Sequence, residues 1–219
     1  MSSRAGTSNP EYVNARVRSR RASLFEEDDY RKLVRMSPAE IARFMEESPA
    51  YEDEINALGS RFSGVDLIEY ALNASLAEDF DDILHWCEGT LYGHVARYLR
   101  KFDAWNVKTV LRGIYSDTER EAVADDLIRA GEFDGRLLDR LLDVSTIEEA
   151  VEALSSTVFG DALAEALDDY ESEGVLVPLE NAVDRAYYDL LRTDDLSGEA
   201  LSEYREFLEA EIDFRNAIN

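Results

Sequence analysis

Carboxylates are the side chains of this sequence with the clearest chemical potential, because several of them are adjacent. Five Asp-Asp pairs occur among the 48 acidic residues, and one of them begins the run Asp168-Asp169-Tyr170-Glu171. Three carboxylates within four residues could bind Mg²⁺ and, through the metal, a diphosphate. In so acidic a chain such pairs also arise by chance and then form solvated helix faces. A magnesium-dependent enzyme using Asp168, Asp169 and Glu171 is therefore one hypothesis, with a solvated helix face as the alternative.

Other patterns that carry chemistry are missing from the sequence. There is no Gly-x-x-x-x-Gly-Lys-Ser/Thr loop and no Gly-x-Gly-x-x-Gly, so no phosphate-binding loop is predicted. His85, Cys87 and His94 do not have the spacing of zinc ligands. We predict no catalytic residues, no cofactor and no metal site.

A motif of the form Asn-x-cation-x-x-x-Arg occurs twice. Its complete copies are Asn14, Arg16, Arg20 and Asn106, Lys108, Arg112, and the Asp-x-x-Asn of Asp103 and Asn106 recurs as Asp213 and Asn216. Such recurrence indicates an internal repeat.

Helix-start signals support this repeat and give its length. Ser37-Pro38-Ala39-Glu40 and Ser145-Thr146-Ile147-Glu148 both fit the capping-box pattern, 108 residues apart. The predicted period is about 110 residues, with an insertion in the second copy between Ser116 and Gly131. We predict a disordered tail at 1–9, helical repeat 1 at 10–105, helical repeat 2 at 106–215 and the start of a third repeat at 216–219.

Composition predicts an all-α protein. Gly and Pro are scarce, at 11 and 4 residues, and the apolar residues follow helical spacing. The longest predicted helix runs from about 81 to 112 and ends at Gly113, with Trp105 and Phe102 as core anchors on its apolar stripe.

The net charge of −25 excludes nucleic acid as the main partner. The cations are almost all Arg, and this acid-rich, Lys-poor composition is typical of proteins in a concentrated-salt cytoplasm. The sequence contains no apolar run of membrane-spanning length, so a membrane role is predicted to be peripheral.

The motif cations allow two interpretations. Arg16, Arg20 and Arg21 either pair with acidic neighbours inside the protein or form a patch for an acidic partner or lipid head groups. Asn106, Lys108 and Arg112 are predicted to mark helix junctions, where Asn satisfies backbone groups at the end of a neighbouring helix.

The stretch Phe102-Asp103-Ala104-Trp105-Asn106-Val107-Lys108-Thr109-Val110-Leu111-Arg112-Gly113 resembles the C subunit of archaeal A-type and bacterial V-type ATP synthases. This family includes the d subunit of eukaryotic V-ATPases. Tyr12-Val13-Asn14-Ala15-Arg16-Val17-Arg18 and Tyr92-Gly93-His94 contribute to the likeness, which covers essentially the whole chain.

The resemblance implies tandem helical subdomains of a pseudo-threefold funnel, here with the third subdomain missing. It also implies a non-catalytic central-rotor subunit at the cytoplasmic side of the cell membrane, with the proteolipid ring and the central-shaft subunits as partners and no small-molecule substrate. The family-motif residues Asn14, Arg16, Arg20, Asp103, Trp105, Asn106, Lys108 and Arg112 are then structural or interface candidates. The alternative is an acidic helical adaptor that binds a basic soluble protein.

Overall fold

The structure describes residues 7–192 and 199–218. In this computed structural model, the described residues form twelve α-helices and no strand, which confirms the predicted all-α fold. The helices are α1 (Pro10–Arg21), α2 (Glu27–Leu33), α3 (Pro38–Glu46), α4 (Glu52–Leu58), α5 (Gly64–Trp86), α6 (Gly89–Tyr115), α7 (Arg120–Asp125), α8 (Gly135–Asp143), α9 (Ile147–Leu154), α10 (Gly160–Glu173), α11 (Val177–Leu191) and α12 (Glu199–Ile218).

The helices recur along the chain at a nearly constant spacing. The series α2 to α6 recurs as α8 to α12, with matching helices beginning 108, 109, 108, 113 and 110 residues apart. The extra helix α7 lies in the predicted insertion. The predicted boundary between 105 and 106 falls inside α6, so this one helix is continuous through both repeats. The third motif copy is on α12, where the side chains of Asp213 and Asn216 lie outside the described residues.

Among the described residues, buried apolar side chains form three clusters, one in each predicted repeat and one where the repeats meet. Met45, Tyr51 and Ile55 belong to the cluster of α3, α4 and α5. A larger cluster joins α6 to the helices from α7 to α12, with Phe159 and Leu163 fully buried. The third, around Leu99, connects α5 and α6. Because α6 contributes to both the second and third clusters, it links the packing of the two repeats.

The predicted helix from 81 to 112 is wrong at both ends. The chain turns at Cys87 and Glu88, whose ψ angles of 137° and 159° are extended, so α5 ends at Trp86 and α6 begins at Gly89. Asn9 stabilises this break, because its Nδ2 donates to the Trp86 carbonyl at 2.8 Å and its Oδ1 accepts from the Glu88 N–H at 3.0 Å. Asn9 is 77 residues from Trp86 in sequence, which is why helical periodicity alone does not reveal the break.

Two other expectations about these termini also need correction. Gly113 lies within α6 rather than after it, and Val123 packs against it. Ser8 and Asn9, which the sequence places in a disordered tail, hydrogen-bond to Thr90 and to the chain break after α5.

Helix caps agree with the sequence in part. Ser37 forms the predicted capping box with Glu40, and its N–H donates to the Glu40 carboxylate at 2.8 Å. The second predicted box does not form: Thr146 caps α9, its Oγ accepts from the Glu149 N–H at 3.2 Å, and the Glu149 carboxylate accepts from the N–H of Ser145 at 2.9 Å. Thr146 and Glu149 offer the same cap-to-acid spacing as Ser145 and Glu148, so the sequence could not separate the two registers.

Candidate functional site

Asp103 and Asn106 fasten α6 to the segment that follows α7. Asn106 is fully buried, and its amide pairs with the backbone of Ile128: Nδ2 donates to the carbonyl at 2.8 Å and Oδ1 accepts the N–H at 2.9 Å. The Asp103 carboxylate accepts the N–H groups of Glu132 and Phe133 at 2.9 and 3.0 Å. These four bonds satisfy backbone groups of a segment that is not helical. Asn106 therefore joins α6 to a non-helical segment, and not to the end of a neighbouring helix as the sequence predicts.

Burial dominates the electrostatics of Asp103. The side chain is only 1 % exposed, and removal from water raises the pKa of its carboxyl to about 7 from an ordinary value of 3.8. The two backbone N–H groups and the nearby Arg100 favour the ionised form but do not offset the burial. Asp103 therefore titrates near neutral pH.

Gly131 makes the close approach of this segment to α6 possible. A Cβ atom at this position would lie 2.0 Å from Oδ1 of Asp103. Because two backbone N–H groups hold the carboxylate in place, it has little freedom to move aside. The same segment supplies Glu132, which accepts from Arg100 Nε at 2.6 Å and from the Tyr92 hydroxyl at 3.0 Å.

Lys108 and Arg112 connect α6 to α11. Lys108 Nζ lies 2.6 Å from Oδ1 of Asp184, and Arg112 Nε lies 2.5 Å from Oε1 of Glu180. The Lys108 side chain is 17 % exposed and that of Arg112 is 53 % exposed, so the first pair is better shielded from solvent. Both motif cations of repeat 2 are therefore engaged within the protein.

The motif cations of repeat 1 are also engaged within the protein, and they contact α5. Arg20 pairs with Asp79 at 2.8 Å and with Asp82, and the Arg16 guanidinium lies 4.5 Å from the centre of the Trp86 ring. Burial raises the pKa of Asp79 despite the attraction of Arg20. The Arg20 contacts fit the internal-pairing interpretation, whereas Arg16 meets an aromatic ring and not a carboxylate.

Asn14 and Trp105 differ from the other motif residues. Asn14 is exposed and does not share the backbone pairing of Asn106. Trp105, predicted as a core anchor, is 48 % exposed. It lies on the α6 face of Thr109 and Arg112 and lines a cavity of ≈ 310 Å³ with Tyr70 and Asn73. Phe102, the other predicted anchor, is buried against Phe80.

The structure does not gather the residues of the magnesium hypothesis into a site. Asp168, Asp169 and Glu171 all lie in the second half of α10. Within residues 7–192 and 199–218, no three His, Cys, Asp or Glu side chains are arranged to hold a metal ion. Cys87 is buried, whereas His85 is exposed.

Sequence reasoning missed several residues that position these contacts. Asn9, Gly131 and Glu132 act across 28 to 79 residues of sequence. Asp134 caps α8 in this segment, but the only hint of the close approach to α6 is Gly131, which fits a helix end equally well. The polar side chains of α6 thus join this helix to α11 and to the 128–133 segment, and its apolar residues are buried in the core of an all-helical protein.

Comparison with known proteins identifies the family of this chain. Residues 13–219 match the model of the ATP synthase (C/AC39) subunit family, so the chain belongs to that family. This confirms the resemblance drawn from the Phe102–Gly113 stretch. Membership also confirms the prediction of a non-catalytic subunit.

Three relatives, at identities from 35 % to 69 %, carry the same name. The chain is 69 % identical over 217 residues to the A-type ATP synthase C subunit of Haloferax volcanii, covering 99 % of this chain and 62 % of that protein. It is 67 % identical over 214 residues to the Haloquadratum walsbyi protein of the same name, covering 97 % and 61 %. A relative in Methanococcoides burtonii is 35 % identical over 212 residues, covering 96 % and 58 %. The chain thus spans about three fifths of the length of these relatives. Several of them come from halophilic archaea, in agreement with the acid-rich composition.

Proposed function

We propose that this chain is a non-catalytic part of the central rotor of an A-type ATP synthase. It links the proteolipid ring of the membrane sector to the central shaft, so that rotation of the ring driven by proton flow supports ATP synthesis on other subunits. The observation that carries the proposal is the match of residues 13–219 to the ATP synthase (C/AC39) subunit family.

The way the helices are joined supports a mechanical role. A coupling part must resist shear between its two contact surfaces, and close-packed interiors transmit strain. Helix α6, 27 residues long, passes through both repeats and is tied to α11 by Lys108 and Arg112. Asp103 and Asn106 tie the same helix to the 128–133 segment. The two repeats therefore share one continuous helix, through which a load on either repeat passes to the other.

The proposed place of the chain is peripheral, on the cytoplasmic side of the cell membrane. None of the helices among the described residues is long and apolar enough to cross a bilayer. The partners in this proposal are the proteolipid ring and the central-shaft subunits, with no nucleic acid and no small-molecule substrate.

An acidic helical adaptor is the second candidate, and the net charge of −25 is the observation in its favour. Such an adaptor would bind a basic soluble protein and have no connection to the membrane. The family match favours the rotor over the adaptor.

Membrane fractionation distinguishes these two functions. The tagged chain is expressed in a haloarchaeal host, and the membrane pellet and the supernatant are probed for the tag and for the catalytic subunits of the ATP synthase. We expect the chain to sediment with these subunits and to leave the membrane with them when the soluble sector is stripped off. Recovery of the chain in the supernatant with a basic partner would replace the rotor by the adaptor.

A further inference from the structure

An open groove runs between α10 and α11 on the surface of repeat 2. These two helices are consecutive and joined by a short turn at Gly174, whose φ of 69° is left-handed. The groove has a volume of ≈ 850 Å³. It shares no lining residue with the motif contacts of α6.

The floor of the groove is apolar and made of small residues. Ala162 and Ala166 of α10 face Ala182 and Ala186 of α11, each pair spaced by four residues along its helix. Small side chains at this spacing leave a trough into which the ridge of another helix fits. Val158 and Val177, at the two ends of the groove, are 42 % and 55 % exposed, so apolar surface remains uncovered there.

One wall of the groove carries a row of carboxylates. Asp161, Glu165, Asp169 and Glu173 follow one another at intervals of four residues along α10. None of them forms an ion pair with any residue in the described part of the chain. The row is about 18 Å long at 1.5 Å per residue. We call these four residues the acidic row.

The opposite wall is different. It presents Asn181, Arg185 and Asp189 of α11, again at four-residue intervals, and Arg185 is the single cation of the lining among the described residues. The groove is therefore polarised across its width, with negative charge concentrated on the α10 side. A bound helix would be oriented by this asymmetry.

We propose that the groove between α10 and α11 is a docking site for an amphipathic helix of a partner protein. One edge of that helix carries Lys or Arg at every fourth residue, opposite the acidic row, and small or apolar residues lie between these cations and the alanine floor. The matched four-residue spacing allows each cation to reach a carboxylate while the backbone settles into the trough.

Concentrated salt makes this local arrangement more important than the total charge. At about 1 M salt the Debye length is roughly 3 Å, so long-range attraction to a charge of −25 is screened. Carboxylates that meet cations at contact distance still act, and the apolar floor strengthens binding under the same conditions. The proposal concerns a site on this surface and does not depend on the rotor function.

A designed helical peptide tests the site. The probe has about 20 residues, with Lys at every fourth position and Ala and Leu along the adjoining face. A second peptide has the same composition, with its Lys residues spread around the helix. Binding to the chain is measured by fluorescence anisotropy in about 1 M KCl. We expect saturable binding of the first peptide, and at least about tenfold weaker binding of the second.

Charge reversal on two faces of α10 gives the matched comparison. Glu165→Lys with Asp169→Lys changes the acidic row, whereas Asp168→Lys with Glu171→Lys makes the same change in charge outside the groove. We expect the first double variant to lose at least about tenfold in affinity and the second to stay within about twofold of the unaltered chain. Circular dichroism checks that each variant folds. Glu165→Gln with Asp169→Asn serves as the milder row variant if the reversed one unfolds.

Three results would overturn the proposal. They are an absence of saturable binding to the unaltered chain, equal affinity for the two peptides, and equal losses in the two double variants. Self-association of the chain that the acidic-row variant abolishes would assign the groove to a second copy and would also contradict it.

Discussion

The side chain of Asn106 and the backbone of Ile128 form a closed pair of hydrogen bonds in the interior, 22 residues apart in sequence. Asn106 donates to the Ile128 carbonyl at 2.8 Å and accepts from its N–H at 2.9 Å. The amide thus satisfies one donor and one acceptor of a partly buried, non-helical segment, as a neighbouring β-strand would. The pairing needs a donor and an acceptor on one planar unit, which an aliphatic side chain cannot supply.

Replacing Asn106 should therefore cost far more stability than replacing its counterpart in repeat 1. Asn106→Ala leaves the Ile128 N–H and carbonyl unsatisfied, and we expect a loss of about 3 kcal/mol in the free energy of unfolding. Asn14→Ala, at an exposed position of α1, should change it by less than about 0.5 kcal/mol. Chemical denaturation at a fixed high salt concentration measures the free energy of unfolding of both variants. Equal effects of the two substitutions would show that the buried pairing is not what stabilises this segment.

Stability should depend on pH through Asp103. Its pKa is about 7 in the folded protein against an ordinary 3.8, so the folded state keeps a proton that the unfolded chain loses first. The stabilisation from this proton is fully present below the pKa of the unfolded chain, and it is lost as the pH rises through the pKa of the folded protein. The chain carries no net charge near its pI of about 4.3, where proteins precipitate most readily. The pH range for measuring its unfolding therefore begins above that value.

The measurement compares the unaltered chain with Asp103→Asn from roughly pH 5 to 8, because the amide does not titrate. We expect the unaltered chain to lose about 2 to 3 kcal/mol of unfolding free energy relative to the variant over this range. If the unfolding free energies of the unaltered chain and the variant differ by the same amount at every pH, Asp103 keeps an ordinary pKa.

Gly131 should not tolerate a methyl group. Its Cβ would lie 2.0 Å from the Asp103 carboxylate, so Gly131→Ala must displace either that side chain or the segment, and we expect a loss of about 2 to 3 kcal/mol. Gly93→Ala is the control, because that glycine is within α6 and a Cβ there would meet nothing within 4 Å. This second change should stabilise the protein by up to about 1 kcal/mol. Thermal unfolding of the two variants should therefore shift in opposite directions.

The two ion pairs between α6 and α11 should differ in strength. Lys108 and Asp184 are better shielded from solvent than Arg112 and Glu180, judged by the exposure of the two cations. A double-mutant cycle with Lys108→Ala and Asp184→Ala should give a coupling of about 1 kcal/mol or more, and the Arg112–Glu180 cycle less than about 1 kcal/mol. A larger coupling for the exposed pair would contradict this ranking.

The fold class could be predicted because helical periodicity and capping are local properties. The Ser37 box and the start of α8 at Gly135 follow from the residues within one turn of each helix end. The period of about 110 residues could be read for the same reason, since each copy carries its own local signals. These features can be predicted without knowing which distant residues pack against each helix.

The break after α5 and the exposure of Trp105 could not be predicted in this way. The break depends on Asn9, which supplies hydrogen bonds from 77 and 79 residues away. Trp105 continues an apolar stripe in sequence, but the packing of α5 and α7 leaves it at the edge of a cavity beside Tyr70. The role of Asp103 likewise depends on the close approach of Gly131, which only the folded chain reveals.

Binding to both proposed partners at once tests the rotor account most directly. The purified chain, residues 1–219, is mixed in concentrated salt with the detergent-solubilised proteolipid ring and the central-shaft subunits, and the mixture is resolved by size-exclusion chromatography. We predict a single complex that contains all three, and no association of the shaft subunits with the ring when the chain is left out. A chain that elutes apart from both the ring and the shaft would contradict the account.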